Sequence, residues 1–294
     1  MASPPDDFLR WQVGEARITR VLECIDDSDV MSFVLPQATP EALSTIPWLA
    51  PHFVNEKGAL ILSIHALVIE TADRRILVDT CLGNDKERSL PSWNRRDGPF
   101  LRDLERAGYP PESIDTVLCT HLHVDHVGWN TRWDGERWIP TFPNARYLIA
   151  RTEWEHWDQN PEAEGVGPVL TDSVRPIFEA GLADLVETNH RVSDEVELAP
   201  TPGHTPGHVS VWVRSNAEQA VITGDMIHHP CQIAHTDWAS AVDSDAEQGT
   251  KSREQLLATC ADQPILVIGT HFATPTAGHV VRDDGRYRLS TAER

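Results

Sequence analysis

Four apolar, strand-like runs in this chain each deliver a histidine or an aspartate within a few residues of their C-terminal ends, and that recurrence restricts the folds open to it. Residues 114–119 lead into His121-Leu-His-Val-Asp-His126, 195–198 into Thr201-Pro-Gly-His204, 220–223 into Gly224-Asp225, and 265–268 into Gly269-Thr-His271. Short apolar, β-branched runs bounded by turn residues read as buried strands. Two more, 60–70 and 75–80, are separated by Thr-Ala-Asp-Arg and predict a hairpin with Asp79 at its downstream end. Helical patterns are expected at 151–158, 171–181 and 246–260, with helix-like spacing of Phe100, Leu101 and Leu104 ahead of Gly108. Strands alternating with helices predict an α/β layered fold with helices on both sheet faces.

Pro and Gly act as punctuation rather than gathering into a linker, and no repeat is present, so 1–294 reads as one domain. The segment 31–53, with Pro36, Pro40, Pro47, Trp48 and Pro51, reads as too irregular for core structure and as a flap over substrate or a dimer contact.

Imidazole nitrogens and carboxylates are the usual ligands of zinc-like ions. On an extended segment His121 and His123 point the same way, so one ion can take both, while Asp125 and His126 project toward a second. Two histidines alone would be compatible with a solvated loop. Four liganding side chains in six residues argue against that reading.

Composition narrows the partners. Against 25 Lys and Arg stand 45 Asp and Glu, a formal net charge of −20. Such a surface repels phosphate backbones and anionic membranes over a Debye length of about 10 Å, so nucleic-acid processing is disfavoured and neutral or cationic small molecules are favoured. No run approaches the roughly 20 apolar residues of a membrane span, and the acidic N-terminus offers no export signal. Five scattered cysteines, Cys24, Cys81, Cys119, Cys231 and Cys260, read as reduced thiols in a cytoplasmic protein.

The run His121-Leu-His-Val-Asp-His126, together with Leu77-Val-Asp79-Thr, Thr201-Pro-Gly-His204-Thr-Pro-Gly-His208, Thr223-Gly-Asp225 and Gly269-Thr-His271, resembles the metallo-β-lactamase superfamily along most of the chain. The resemblance implies an αββα sandwich with two metal ions at one edge of two facing sheets. His121, His123 and His204 would hold the first ion, Asp125, His126 and His271 the second, with Asp225 bridging. The ions would be divalent, zinc first, with manganese, cobalt or iron as alternatives. Asp79 looks like the family's outer carboxylate that orients a liganding histidine, and His208 reads as a support for its loop.

Hydrolysis by activated water is the expected chemistry. The acyl-homoserine lactonase branch of the family carries a tyrosine three residues after the bridging aspartate, where this chain has His228. Asp125 and His228 are therefore the candidate catalytic side chains. His228 would donate a hydrogen bond to an oxyanion or protonate a leaving group, unless it is a bystander near the surface. Ten tryptophans recommend an aromatic cleft for a partly apolar lactone or ester, with Trp129, Trp93 and Trp238 as candidate lining residues, although most tryptophans in any protein are core. Phosphotriesters and halogenated aromatics are alternative substrates. An iron-dependent, dioxygenase-like oxidoreductase is the rival class.

Overall fold

A computed structural model describes residues 8–26, 30–161 and 167–291. The N-terminal residues read above as carrying no export signal fall partly outside that range. Fifteen strands are described: β1 (Arg10–Val13), β2 (Ala16–Asp26), β3 (Leu62–Glu70), β4 (Arg75–Val78), β5 (Thr116–Leu118), β6 (Thr131–Trp133), β7 (Trp138–Pro140), β8 (Arg146–Ala150), β9 (Ala183–Val186), β10 (Val196–Pro200), β11 (Val209–Ser215), β12 (Glu218–Ile222), β13 (Ile265–Ile268), β14 (Ala277–Asp283) and β15 (Arg286–Ser290). The α-helices are α1 (Val30–Val34), α2 (Pro40–Leu43), α3 (Phe100–Arg106), α4 (Val124–Val127), α5 (Arg151–Gln159), α6 (Arg175–Glu179), α7 (Cys231–Ala234) and α8 (Ala246–Cys260).

Seven strands form one mixed sheet in the order β1-β2-β3-β4-β5-β8-β9, and six form a second, β10-β11-β12-β13-β14-β15, with β6 and β7 as a separate hairpin. The first sheet is antiparallel up to β4 and parallel beyond it. In the second, only β12 and β13 run parallel.

Alternate residues of single strands fall into two different cores, which is why the strands read as continuous apolar runs rather than alternating ones. Leu67, Ile69, Ile76 and Val78 of the first sheet pack with Val209, Val211, Val213, Ala220 and Ile222 of the second, filling the space between the sheets. Their neighbours Ala66, Val68, Leu77, Trp212 and Val221 belong to the other core, with Phe100, Leu104, Trp157, Leu256 and Leu257 from the helices. The result is helix, sheet, sheet, helix, as the family resemblance implies.

The segment 31–53 departs from expectation. It is not excluded from the core: Met31, Leu35, Leu43, Ile46, Leu49 and Phe53 are all buried in it. Two of the prolines that made it look irregular instead start short helices. Pro40 opens α2 behind the Thr39 cap, and Pro47 opens a 3-10 turn, positions where a missing N–H and a fixed φ cost nothing. The 171–181 helix also differs in detail, beginning as a π-helical stretch, Leu170–Val174, that α6 continues.

Candidate metal centre

Every liganding candidate follows a strand at the same edge of the two sheets, with Asp125 and His126 on α4, Asp225 in a 3-10 turn and the rest in loops. The run 121–126 follows β5, His204 follows β10, Asp225 follows β12 and His271 follows β13. Three triads of potential ligand atoms converge within 4.8 Å: His121, His123 and His204; His121, His126 and Asp225; and Asp125, His126 and His271. A fourth triad, His204, Asp225 and His228, adds a residue read above only as a proton or hydrogen-bond donor.

The first loop is fixed by Asp79. Its backbone sits in the left-handed region at φ 57°, a conformation costly for a non-glycine residue and retained where the surroundings enforce it. Here the carboxylate accepts from Thr120 N at 2.7 Å, Thr120 Oγ1 at 2.9 Å and His126 Nδ1 at 2.9 Å. These contacts leave Nε2 of His126 facing the centre. Thr120 Oγ1, its proton directed to Asp79, accepts from His121 Nδ1 at 3.1 Å and turns that ring's Nε2 inward.

Two other supports carried no sequence signal. Glu153 of α5 accepts from Leu122 N and Trp157 Nε1 through one oxygen and from Gly207 N through the other, at 2.7–3.0 Å, so one carboxylate clasps both histidine loops. Asp243 accepts from His204 Nδ1 at 2.9 Å. A buried acid looks like any surface acid in sequence, and the histidine loops these two support lie 31 to 54 residues away.

His208 lies close to the centre without joining it. Its Nδ1 contacts Thr201 O at 3.1 Å and Thr201 Oγ1 at 2.8 Å, while Nε2 accepts from Asp225 N at 2.8 Å. The ring therefore holds the Asp225 turn in place. Gly224, at φ 59°, has no Cβ to meet that ring; one would lie 2.5 Å from His208 Nε2.

The electrostatics match a centre built for cations. Burial alone would push His126 and His271 down, but Asp225 and Asp125 hold both above the usual imidazole range, His126 well above it. Burial also works against the Asp225 charge, yet His126, His271 and His228 outweigh it and hold that carboxyl well below its usual range. Burial drives His121 and His123 well below theirs, so both are neutral. His121 Nε2 and His204 Nε2 nevertheless approach His123 Nδ1 at 3.1 and 2.8 Å. The other nitrogens of His121 and His204 face Thr120 and Asp243, so lone pairs converge with too few protons between them. Asp225 Oδ1 is buried with His271 Nε2 near it, at 3.1 Å and outside good hydrogen-bond geometry, while the same nitrogen is 3.1 Å from Oδ2. Converging lone pairs and a buried carboxylate with an oxygen lacking a well-aligned donor are what a pair of divalent ions would satisfy.

A cavity of about 470 Å³ opens over this centre. His123, Asp125, His204, Asp225, His228 and His271 form its floor, and Met31, Phe33, Val34, Leu62, Leu90, Trp93, Val124, Trp157 and Val242 give largely apolar walls. His228, pushed down to about 3 by burial, presents a neutral ring in which neither nitrogen has a hydrogen-bond partner, Nε2 lying 3.5 Å from Asp225 Oδ2.

Of the three candidate tryptophans, only Trp93 lines the cavity. Trp129 turns away into the core, stacked on Phe100 with its Nε1 donating to Glu23 at 2.7 Å. Trp238 stacks on His235 at 4.2 Å outside the cavity lining. Proximity in sequence to His126 misled in the first case, because α4 and the 3-10 turn after it rotate position 129 to the opposite side. Trp157, from a helix remote in sequence, takes the place expected of Trp129.

The sequence profile of the metallo-beta-lactamase superfamily matches residues 61–259. An N-acyl homoserine lactonase from Bacillus sp is 27% identical over 176 residues, covering 55% of this chain and 63% of that relative; the match thus spans less than two thirds of the curated relative. Among solved structures, AidC, a dizinc quorum-quenching lactonase in complex with a product N-hexanoyl-L-homoserine, superposes with a TM-score of 0.81 at 22% identity over 98% of both chains. The hydrolase AbOPH of the beta lactamase superfamily gives 0.80 at 24% identity, also over 98% of both. At such identities the structural likeness speaks for the fold, and with a profile match across 61–259 the chain belongs to the metallo-β-lactamase superfamily.

Proposed function

We propose that this protein is a binuclear metal-dependent hydrolase that opens the ring of a small, uncharged lactone carrying an apolar substituent. The carrying observation is the pairing of a histidine- and aspartate-lined floor with apolar walls in one cavity of about 470 Å³. The similarity to N-acyl homoserine lactonases supports the substrate class.

His121, His123 and His204 would hold one ion, Asp125, His126 and His271 the other, and Asp225 would reach both. Two divalent ions, zinc in the first instance, would supply an activated water and polarise the substrate carbonyl. The protein's own contribution is orientation and exclusion of water. Asp79, Thr120 and Asp243 fix the tautomers of His126, His121 and His204, so the liganding nitrogens face inward without reorganisation. Leu62, Trp93, Val124 and Trp157 surround the ring and its substituent with apolar surface, which strengthens electrostatic interactions at the floor.

His228, which lines the cavity with both ring nitrogens unpartnered, would donate one hydrogen bond to the substrate's carbonyl or ring oxygen. Its depressed pKa favours that donor role over delivery of a proton from an imidazolium. Residues 31–53 would act as the wall that closes over the substrate, since Met31, Phe33 and Val34 reach the cavity while the rest of the segment is anchored in the core.

The test is a hydrolysis panel of N-acyl homoserine lactones, simple lactones, aryl esters, phosphotriesters, β-lactams and halogenated aromatics, run with metal analysis and oxygen uptake. Lactones are expected to turn over fastest, with two zinc ions per chain and no oxygen use. His123→Ala and Asp225→Ala are expected to lose at least 100-fold in kcat/KM while remaining folded. Faster turnover of phosphotriesters would overturn the substrate class, and one iron with oxygen consumption would overturn the hydrolase reading.

A further inference from the structure

The cavity wall and one metal triad are joined through a loop that carries none of the family motifs. Residues 239–245 are the later part of the 235–245 connection between α7 and α8. Asp243 Oδ1 accepts from His204 Nδ1 at 2.9 Å, and Oδ2 accepts from Ser240 N at 3.0 Å, so both oxygens of this largely buried carboxylate are committed. The loop is also tied to the histidine loop's backbone: Ser244 N donates to His204 O at 2.9 Å and Asp245 N to Gly203 O at 2.8 Å. Close approach is possible because Gly203 meets Gly249 of α8 back to back; a Cβ on Gly203 would lie 2.1 Å from Gly249 N. On its other side the loop reaches α1. Val34 O accepts from Ala241 N at 2.9 Å and from Ser240 Oγ at 3.1 Å. Val30, Met31, Phe33 and Val34 of that helix face the cavity, as do Ala241 and Val242 of the loop.

We propose that Asp243 is the positioning residue for His204, acting selectively on the ion held by His121, His123 and His204, and that the loop 239–245 mechanically ties that ion to the α1 wall. The inference rests on the metal-centre reading above. Asp79 orients His126 directly and His121 through Thr120, whereas Asp243 orients His204 alone, so Asp243 is the support confined to one ion's triad. Removing the acceptor frees the His204 ring to rotate and change tautomer, which weakens one site and spares the other.

The test uses the full-length, zinc-loaded chain and a graded chelator series, reading zinc per chain by native mass spectrometry. Wild type is expected to hold two ions. Asp243→Ala is expected to release one of them at chelator concentrations about 10- to 100-fold lower, the range for loss of an outer partner, while keeping the other. Asp243→Asn retains a carbonyl acceptor and the side chain's shape, so it is expected to fold and to show a smaller shift. In the cobalt-substituted protein, Asp243→Ala should alter the absorption of one ion only. Amide exchange at Ala241 should quicken in Asp243→Ala and when the weaker ion is stripped from wild type.

If Asp243→Ala holds both ions as tightly as wild type while His204→Ala loses one, the inference fails and the metal centre stands. Parallel loss of both ions in Asp243→Ala also overturns it, since that would mark general loosening. If His204→Ala keeps both ions, the metal-centre reading itself falls.

Discussion

At the residue scale, a few buried charges do most of the positioning, and each gains its role from partners distant in sequence. Glu23 sits at the register shift in the β2–β3 pairing, where an extra residue re-aims a side chain. Its carboxylate accepts from Leu82 N, Gly83 N and Trp129 Nε1, holding the loop that follows Asp79. Lys86 is buried beside Arg88, Asp172 and Thr131, and burial pulls its pKa from 10.5 down to about 7. The unfolded chain keeps that proton up to about 10.5 and the folded chain releases it near 7, so between these values the unfolded state binds more protons and stability rises with pH. Below the lower value both states are protonated and the gain is absent. Urea midpoints of wild type and Lys86→Met at pH 7 and pH 9 check this. Wild type should gain on the variant as pH rises, and an unchanged difference would contradict the assignment.

At the element scale, loops rather than strands carry the chemistry, and their rigidity comes from cross-links between them. The end of β5 is joined to the second sheet by Val209 N donating to Thr120 O at 3.0 Å, and Glu153 clasps the loops bearing His123 and His204. Truncating Glu153 to Ala would leave Leu122 N, Gly207 N and Trp157 Nε1 unpaired in a buried setting. At about 1–3 kcal/mol for each orphaned group, Glu153→Ala is expected to cost about 3 kcal/mol or more in denaturant unfolding. Glu153→Gln keeps one acceptor oxygen and should recover part of that loss. The same clasp explains why Trp157 lines the cavity: its indole N–H is the third donor to this carboxylate.

At the scale of the whole molecule, two sheets from the two halves of the chain each supply part of one centre. His126 and His271 lie 145 residues apart in sequence, yet their Nε2 atoms are 3.2 Å apart. Ions bound there would bridge the halves, and an ion that binds only the folded state stabilises it by about 4 kcal/mol at a thousandfold excess over its dissociation constant. Chelation is therefore expected to lower the thermal midpoint by about 5 °C or more, with zinc restoring it; a midpoint indifferent to chelator would show that the sheets hold this edge unaided. Among the described residues no helix is long and apolar enough to cross a membrane.

The sequence alone determined the alternation of strands and helices, the apolar runs at β3, β4, β5, β12 and β13, and the seven histidines and aspartates at strand ends. These features are local: hydrophobic periodicity, turn residues and ligand chemistry are all written within a few positions of one another. It also singled out Asp79, through the family resemblance, and His208, through its glycine-rich loop, and both make hydrogen bonds at the centre's edge. What it did not determine depends on which remote segments meet. Glu23, Glu153 and Asp243 became supports, Trp157 replaced Trp129 at the cavity, and the 31–53 segment joined the core while contributing a wall. A carboxylate's role depends on whether buried N–H groups reach it, and an indole's on which way its turn rotates it. Both are decided by packing across the two sheets, where desolvation makes an unpaired group costly, rather than by anything in the neighbouring sequence.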